Sequence, residues 1–296
     1  MARRPNGMRE IPGGRFRMGS DVHYPEEGPS RWAEVAPFWI DATPVTNQQF
    51  ARFVAATGHV TTAEIAPTLE AYPDAEADRL VPGSAVFIPP GRPVLLDDPA
   101  AWWAYVPGAS WRRPQADGVD ARDLPHHPVV HVSYADAQAY AAWAGKALPT
   151  EAEWEFAARG GLDGAAYAWG DRLEPFGRPM ANTWQGAFPH ENLLLDGYAR
   201  TSPVRTYPAN GYGLFDMIGN VWEWTTQRFE ATSPAKPCCG SGPVEAPALT
   251  LKGGSHLCAP NYCQRYRPAA RHAQTPDTST SHIGFRCVVR PVDNRA

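Results

Sequence analysis

Two cysteines, Cys258 and Cys263, occur in one short segment near the C-terminus, which runs from Gly253 to Arg267. A cysteine thiolate is both a nucleophile and a soft metal ligand, so two of them in one loop can bind a soft ion such as Cu(I) between their sulfurs. Considered without its neighbours, this spacing is more often half of a zinc site, a disulfide or a pair of buried thiols. The rest of the chain must therefore decide which chemistry the pair performs.

The composition of the chain indicates a folded protein with few long regular elements. Its 296 residues suffice for one large domain or two average ones, and no obvious linker divides them. A hydrophobic fraction of 43% provides ample apolar side chains for a core, which excludes a disordered chain. The 31 prolines and 26 glycines break or bend helices and strands, so we expect much of the backbone to be ordered loop.

Charge and cysteine usage exclude several partners and favour one compartment. The formal net charge is -4 and no basic run is longer than the terminal Arg3-Arg4, so nucleic acid is not an expected partner. Residues 1–20 are interrupted by proline and glycine and lack the apolar stretch of a signal peptide, and no membrane span is predicted. Five cysteines, an odd number without such a signal, are typical of a reducing compartment, so we expect a cytoplasmic protein.

Three short helices are predicted from the residues that begin and end them. They are expected after Thr46 with Gln49 and up to Gly58, after Ser133 and up to Gly145, and after Thr150 with Glu153 and up to Gly160. Residues 66–128 form a long stretch rich in proline and aspartate that contains three tryptophans. Loops of this length are usually functional surfaces or disordered, and the aromatic residues favour an ordered one.

Five short motifs are distributed over nearly the whole chain. They are Ile11-Pro12-Gly13-Gly14, Pro44-Val45-Thr46-Asn47, Leu148-Pro149-Thr150-Glu151-Ala152-Glu153-Trp154-Glu155, Gly219-Asn220-Val221-Trp222-Glu223-Trp224 and Gly284-Phe285-Arg286. Together they resemble the formylglycine-generating enzymes, also called sulfatase-modifying factors. The resemblance implies an α+β fold: a single C-type-lectin-like domain over residues 1–296, with its core at about 8–291 and with little regular secondary structure. Sulfoxide synthases and binding modules use the same scaffold, so the fold alone does not imply a function.

The segment from Ser255 to Arg271, followed by Gln274-Thr275-Pro276-Asp277, is similar to the active-site segment of the enzymes themselves. Both catalytic cysteines of that segment are present here, whereas lectin-like relatives without the activity lack them. The resemblance implies an oxidase that uses O2 to convert the cysteine of a Cys-x-Pro-x-Arg motif in an unfolded sulfatase into Cα-formylglycine, with an external thiol as reductant. In such an enzyme Cys258 and Cys263 would hold Cu(I), and the substrate thiolate would add a third sulfur.

Three residues near the pair match functional positions of the family: Ser255, Tyr262 and Arg271. The hydroxyl of Ser255 could hydrogen-bond a thiolate, although a serine after two glycines also makes turns. Tyr262 could place a phenol at the site or be structural, and Arg271 could bind substrate or form an ion pair in the core. His256 and His272 are expected to be solvated loop residues, because Cu(I) prefers sulfur.

The resemblance also implies two structural Ca²⁺ sites, because the family carries calcium and hard cations prefer oxygen ligands from loops. From spacing alone, the acids concerned are ordinary surface or capping residues. The first site would use the side chains of Asn182 and Asp196 with the carbonyls of Thr183 and Tyr198, and the second the side chains of Asp216 and Glu223 with the carbonyls of Gly219 and Val221.

Two other classes of function fit the sequence less well than the oxidase. A non-catalytic lectin-like binding module would have no use for the cysteine pair, and a sulfoxide synthase needs an iron-binding His-x3-His-x-Glu pattern that the sequence lacks.

Cys287 is predicted to be a buried free thiol. Cys238-Cys239 could form a ring disulfide, a second metal site or two incidental thiols, of which we favour the last. The sequence does not decide which tryptophans line a substrate groove and which belong to the core.

Overall fold

The computed structural model describes residues 5–76, 80–115, 118–230 and 247–291, most of which are loop and turn. The helices in these ranges are α1 (Asn47–Thr57), α2 (Tyr134–Trp143) and α3 (Glu151–Arg159). The strands are β1 (Met8–Ile11), β2 (Gly14–Met18), β3 (Arg31–Val35), β4 (Phe38–Asp41), β5 (Gly83–Phe87), β6 (Trp103–Pro107), β7 (Trp222–Arg228), β8 (Leu249–Lys252), β9 (Arg271–Gln274), β10 (Ile283–Gly284) and β11 (Val288–Val289). Short helices and small sheets joined by long loops confirm the predicted α+β class.

The strands form four small sheets, and one of them carries the cysteine segment. β4 lies between β1 and β11 and pairs with both in antiparallel register, so strands from the two ends of the chain meet in one sheet. A second sheet has the order β10-β7-β8-β9, in which β8 and β9 are antiparallel. β2 pairs with β3, and β5 pairs with β6. The two cysteines lie in the connection between β8 and β9.

Each helix begins with the capping residues that the sequence predicts. The hydroxyl of Thr46 accepts from the Gln49 amide over 3.3 Å, and the Gln49 side chain accepts from the Thr46 amide over 2.8 Å. Ser133 caps α2 and Thr150 caps α3 in the same way. Gly58 ends α1 with a φ of 70°. Among the described residues, no helix is long and apolar enough to cross a membrane.

The described parts of the stretch at residues 66–128, which are 66–76, 80–115 and 118–128, are ordered as predicted, but they are not all loop. They contain β5 and β6, which pair from Gly83 opposite Pro107 to Phe87 opposite Trp103. β6 leads the chain away from Trp102, which is buried in a cluster of aromatic side chains together with Phe87. This pair of strands therefore brings tryptophans from the middle of the sequence to the cysteine segment.

Most of the tryptophans whose role the sequence left open belong to the core. Trp111 and Trp222 are 3% and 0% exposed and lie in the largest hydrophobic cluster, which also includes both cysteines. Trp102 is 1% exposed and lies in a separate cluster of aromatic side chains. Trp103 is half-buried beside that cluster.

Four histidines are buried, which corrects the expectation that His256 and His272 are solvated. Both are 4% exposed, and His131 and His282 are 0% and 1% exposed. Burial lowers the pKa of His131, His256 and His272 to about 4, because the charged imidazolium would lose its hydration. Burial also lowers the pKa of His282 well below its usual value. All four imidazoles are therefore neutral at neutral pH.

The structure predicts that Gly254→Ala destabilises the protein more than Gly58→Ala. Both glycines have a φ near 70°, but a Cβ on Gly254 would lie 2.7 Å from the Arg265 carbonyl oxygen, whereas a Cβ on Gly58 would have nothing within 4 Å. We expect both variants to lose about 1 kcal/mol for the strained φ, and Gly254→Ala to lose roughly 1–3 kcal/mol more for the clash. Urea unfolding measures both values, and equal losses would contradict the described turn.

The buried histidines predict a loss of stability in acid. Since the folded pKa of His131 is about 4 and its ordinary pKa is 6.5, the unfolded chain binds more protons between these values. The contribution of this residue to stability is complete above about pH 6.5 and is lost as the pH falls towards 4.

We expect His131→Gln to reduce the fall in the free energy of unfolding between pH 7 and pH 5 by roughly 1–2 kcal/mol. Glutamine can still donate to the Pro114 carbonyl, which His131 Nε2 contacts at 2.8 Å, but it takes up no proton. The measurement compares urea unfolding of both proteins at three pH values in this window. Parallel pH profiles would show that His131 does not titrate as described.

Candidate active site

The two cysteine sulfurs lie side by side in a buried loop. Sγ of Cys258 is 3.3 Å from Sγ of Cys263, and the residues are 1% and 2% exposed. This separation is well beyond a disulfide bond of about 2.05 Å, so no disulfide joins the two residues. The separation would allow one soft ion to contact both sulfurs.

The local backbone explains why the sulfurs meet. Gly253 and Gly254 adopt φ values of 97° and 71°, which turn the chain sharply after β8. The Cys258 amide then donates to the Ser255 carbonyl over 2.9 Å, and the Cys263 amide donates to the Ala259 carbonyl over 2.9 Å. Two successive turns therefore direct both side chains to the same side of the loop.

An aromatic cavity adjoins the sulfur pair. Tyr262 stacks on Phe188 with ring centroids 4.7 Å apart, and Trp102 packs edge-on against Tyr262 at 5.5 Å. The flat rings shield the sulfurs from water and leave a small apolar space next to them. The cavity is lined by Trp102, Trp103, Phe188, Ser255, Leu257, Cys258, Tyr262 and Cys263.

Of the three further residues predicted at the site, two reach it. Ser255 is fully buried, its amide donates to Sγ of Cys258 over 3.4 Å, and its hydroxyl accepts from the Leu257 amide over 3.2 Å. Tyr262 contributes its ring to the cavity wall. Both residues therefore border the space in which a substrate thiol would have to lie.

Arg271 is not brought to the cysteines. It lies on β9, where its Nε is 2.8 Å from Oε1 of Glu151 and its guanidinium packs over the ring of Phe229 at 4.6 Å. None of its hydrogen bonds among the described residues goes to either cysteine. Arg271 therefore forms an ion pair with Glu151, which is the alternative role expected for it from the sequence.

Arg265 lies beside the pair, although the sequence did not single it out. Its Nη1 donates to Sγ of Cys263 over 3.8 Å. Its Nε donates to Oε1 of Glu26 over 3.1 Å, and its guanidinium lies 4.0 Å from the ring centre of Tyr24. The only sequence signal was its position two residues after Cys263, because the partner residues are far away in the chain.

His256 connects the cysteine loop to Asn220, which lies just before β7. The amide and the Nδ1 of His256 donate to the Asn220 carbonyl over 3.0 Å and 2.8 Å. A carbonyl only accepts hydrogen bonds, so Nδ1 must carry the proton. Asn220 in turn donates to the Asn182 carbonyl over 2.8 Å, which links the loop to the first predicted calcium site.

The first predicted calcium site has one buried oxygen that lacks a hydrogen bond. Oδ1 of Asn182 has no hydrogen-bond partner among the described residues. The carboxylate of Asp196 accepts from the amides of Thr183 and Tyr198 over 3.2 Å and 3.0 Å, which places these four residues together. Burial raises the pKa of Asp196, so a cation there would offset the cost of its charge. This arrangement fits a hard cation.

The second predicted calcium site fits a cation only in part. Oδ1 of Asp216 is buried without a hydrogen-bond partner in the described part of the chain, and burial raises the pKa of Asp216 to about 6. Glu223, in contrast, accepts from Arg286 Nε over 2.7 Å and from Trp154 Nε1 over 2.7 Å. A cation beside Asp216, Gly219 and Val221 is consistent with this geometry, whereas Glu223 already has a cationic partner.

Of the other cysteines, only Cys287 lies in the described part of the chain. Cys287 is a buried free thiol, as predicted, and burial raises its pKa well above the usual value. Cys238 and Cys239 lie outside the described residues. Within the described ranges, no group of three or more histidine, cysteine, aspartate or glutamate side chains could hold a metal ion.

Comparison with known proteins places the chain in a family. Residues 2–291 match the model of the sulfatase-modifying factor enzyme 1-like domain. The formylglycine-generating enzyme of Mycobacterium tuberculosis is 55% identical over 292 residues, which cover 96% of this chain and 97% of that protein. The structure of PvdO from Pseudomonas aeruginosa matches with a TM-score of 0.61 and 26% identity, over 96% of this chain and 94% of that one.

A third relative shows that similarity over the whole chain does not by itself establish activity, so the residues of the site must also be considered. The bovine protein named inactive C-alpha-formylglycine-generating enzyme 2 is 39% identical over 287 residues, which cover 95% of this chain and 87% of that protein. Similarity over the whole length is thus shared by proteins named as active and as inactive. The full-length match nevertheless establishes descent, and the chain belongs to the sulfatase-modifying factor family, which includes the formylglycine-generating enzymes.

Proposed function

We propose that this chain is a formylglycine-generating oxidoreductase. It converts the cysteine of a Cys-x-Pro-x-Arg motif in a sulfatase into Cα-formylglycine. The observation that carries the proposal is the pair of buried sulfurs, Cys258 and Cys263, at 3.3 Å beside a cavity lined by aromatic rings. The names of two similar bacterial relatives support the same activity.

Cu(I) is the proposed cofactor, and Cys258 and Cys263 would hold it. Thiolates are the soft ligands that Cu(I) prefers, and no histidine is needed to complete a two-sulfur site. When bound, Cu(I) would supply the one-electron chemistry that O2 requires. His256 and His272 are not among the described residues that line the cavity, so the two sulfurs are the soft donors that face it.

The residues of the cavity would position the substrate cysteine and exclude water. Tyr262 and Trp102 form flat walls next to the sulfurs, and these walls would orient a peptide thiol that enters the cavity. Ser255 also lines this space, and its hydroxyl could donate a hydrogen bond to an incoming sulfur. A dry cavity strengthens each of these polar contacts.

The reaction needs an external thiol as reductant. Oxidation of the thiol-bearing methylene group of the substrate to a thioaldehyde reduces both atoms of O2 to water, and hydrolysis of the thioaldehyde then releases hydrogen sulfide and leaves the aldehyde. This balance requires two electrons and two protons in addition to O2, which two thiols supply as they form a disulfide. The substrate must also be unfolded locally, because a cysteine inside a packed domain could not enter the cavity.

We propose that a single domain in the cytoplasm performs this reaction.

Structural calcium would support the loops around the site. Asn182 and Asp196 fit one ion through an unpartnered amide oxygen and a half-buried carboxylate, and Asp216 fits a second through its unpartnered Oδ1, as judged within the described residues. Since the backbone at Asn182 is hydrogen-bonded to Asn220, and Asn220 to His256, an ion at the first site would also stiffen the cysteine loop.

A peptide assay tests the activity. The protein is loaded with Cu(I) and incubated in air with a thiol reductant and a peptide that contains Cys-x-Pro-x-Arg, and mass spectrometry follows the loss of sulfur and the gain of an aldehyde. A Ser-x-Pro-x-Arg peptide and a copper-free sample are the controls. Conversion only of the cysteine peptide with copper is the expected result. Peptide binding without conversion in any sample would favour a non-catalytic binding module.

Replacement of either cysteine of the pair should abolish conversion. We expect Cys258→Ala and Cys263→Ala to reduce turnover by at least ~1000-fold, because one remaining sulfur cannot hold a two-coordinate ion. Cys287→Ala is the matched control, since it removes an equally buried thiol that lies outside the cavity. The double variant Cys258→Ala/Cys263→Ala, if it retained turnover, would exclude the pair from the chemistry.

Removal of calcium should lower the melting temperature. A chelator that strips a structural ion removes its binding free energy from the folded state, and we expect a fall of about 5 °C. Asp196→Asn should melt lower than the unmodified protein in calcium and should respond less to the chelator. Asp97→Asn, at an exposed loop position, is the control and should behave as the unmodified protein. A melting temperature that chelation leaves unchanged would count against both sites.

A further inference from the structure

The guanidinium of Arg265 lies between Cys263 and the N-terminal part of the chain. Its Nη1 faces Sγ of Cys263 at 3.8 Å, while its Nε donates to Oε1 of Glu26 over 3.1 Å and its Nη2 binds the same oxygen. Arg265 and Glu26 are each 3% exposed. One edge of the planar group is therefore fixed by a carboxylate, and the remaining nitrogen faces the sulfur.

Tyr24 restrains the same side chain from a second direction. The centre of its ring lies 4.0 Å from the guanidinium carbon of Arg265, which is a cation–π distance. Its hydroxyl accepts from the amide of Gln264 over 2.9 Å, directly next to Cys263 in the chain. Tyr24 thus holds both the guanidinium and the backbone that carries the sulfur.

The negative charge of the proposed copper site explains why a positively charged Arg265 would be needed next to Cys263. A Cu(I) ion with two thiolate ligands has a net negative charge, and a buried charge is costly unless a partner of opposite sign lies nearby. Arg265 provides the positive charge that lies in contact with the sulfur, and its carboxylate partner Glu26 contacts the opposite edge of the guanidinium.

We propose that Arg265 is a positioning residue for the copper site: held by Glu26 and Tyr24, it stabilises the negative charge of metal-bound Cys263. This inference rests on the proposed copper chemistry. It assigns the segment from Tyr24 to Glu26, more than two hundred residues away in the sequence, a role in metal affinity.

The neighbouring ion pair between Arg267 and Glu27 provides a matched control. Arg267 and Glu27 are each 2% exposed, and Nη1 of Arg267 donates to Oε2 of Glu27 over 2.7 Å. Arg267 also donates to the Gln264 carbonyl over 2.9 Å, and none of its hydrogen bonds among the described residues goes to a cysteine. The two arginines therefore connect the same two segments, but of these two only Arg265 contacts a sulfur.

The test is an anaerobic competition titration in which a Cu(I) chelator of known affinity competes with the full-length protein. The proteins compared are the unmodified chain, Arg265→Gln, Arg265→Lys and Arg267→Gln, each checked for a native circular dichroism spectrum and melting transition. We expect Arg265→Gln to weaken Cu(I) binding about tenfold or more, which is the usual effect of losing a charge-assisted contact. Arg265→Lys should be intermediate, and Arg267→Gln should change the affinity less than about threefold.

Each outcome bears on a different claim. If the unmodified protein does not bind Cu(I), the proposed copper site is wrong. If it binds but Arg265→Gln binds equally well, or if Arg267→Gln weakens binding as much, the positioning role is overturned and the copper site stands. Should Arg265→Gln fail to fold, Arg265→Met decides, because it removes the positive charge but keeps an unbranched side chain, and an unchanged affinity would then refute the proposal.

Discussion

Buried ion pairs between the N-terminal segment and the cysteine loop are the interactions on which the site depends. The loop between β8 and β9 has no regular secondary structure, so hydrogen bonds of a helix or sheet cannot hold its sulfurs in place. Arg265 and Arg267 instead bind Glu26 and Glu27, which lie in a short 3-10 helix at Pro25–Glu27. The reactive end of the molecule is therefore fixed by residues from the opposite end of the chain.

Burying these ion pairs costs free energy, but the pairs also fix the position of the cysteine loop. Buried charges lose their hydration, and well-packed apolar residues would often be at least as stable. Each carboxylate, however, accepts hydrogen bonds from a guanidinium only in a narrow range of directions. The two ion pairs therefore specify one position for the loop. A second buried group behaves in the same way: Glu155 accepts from Lys252 at 2.9 Å and from Arg159 Nη2 at 2.7 Å beside β8. Although burial opposes its ionisation, these cations lower its pKa.

Local features of this fold could be predicted from sequence, whereas contacts between distant segments could not. The caps at Thr46 and Thr150 were predictable because a capping box spans only four residues. The strand pair β5 and β6 was missed because its two halves are short and the surrounding prolines indicate loop. The burial of His256 and the Glu223 ion pair with Arg286 also depend on residues that meet only in the folded chain.

The site shows the same division. The cysteine pair, Ser255 and Tyr262 were predictable because they share one segment, and the structure brings all four to one cavity. Arg271 is in the same segment, but it follows β9 into the core and pairs with Glu151. Arg265 and Glu26 are separated by 239 positions, so nothing local marks their contact. A single sequence thus identifies the reactive atoms more readily than the residues that hold them.

The ligands of copper in the loaded protein test the central claim most directly. X-ray absorption at the copper edge of the anaerobic Cu(I) protein reports the type and number of the donor atoms. The account predicts two sulfur donors and no nitrogen, with the two-sulfur signal lost in the variant that lacks Cys258. A first shell dominated by nitrogen or oxygen donors, or a signal unaffected by that substitution, would contradict a metal centre built from the buried cysteine pair.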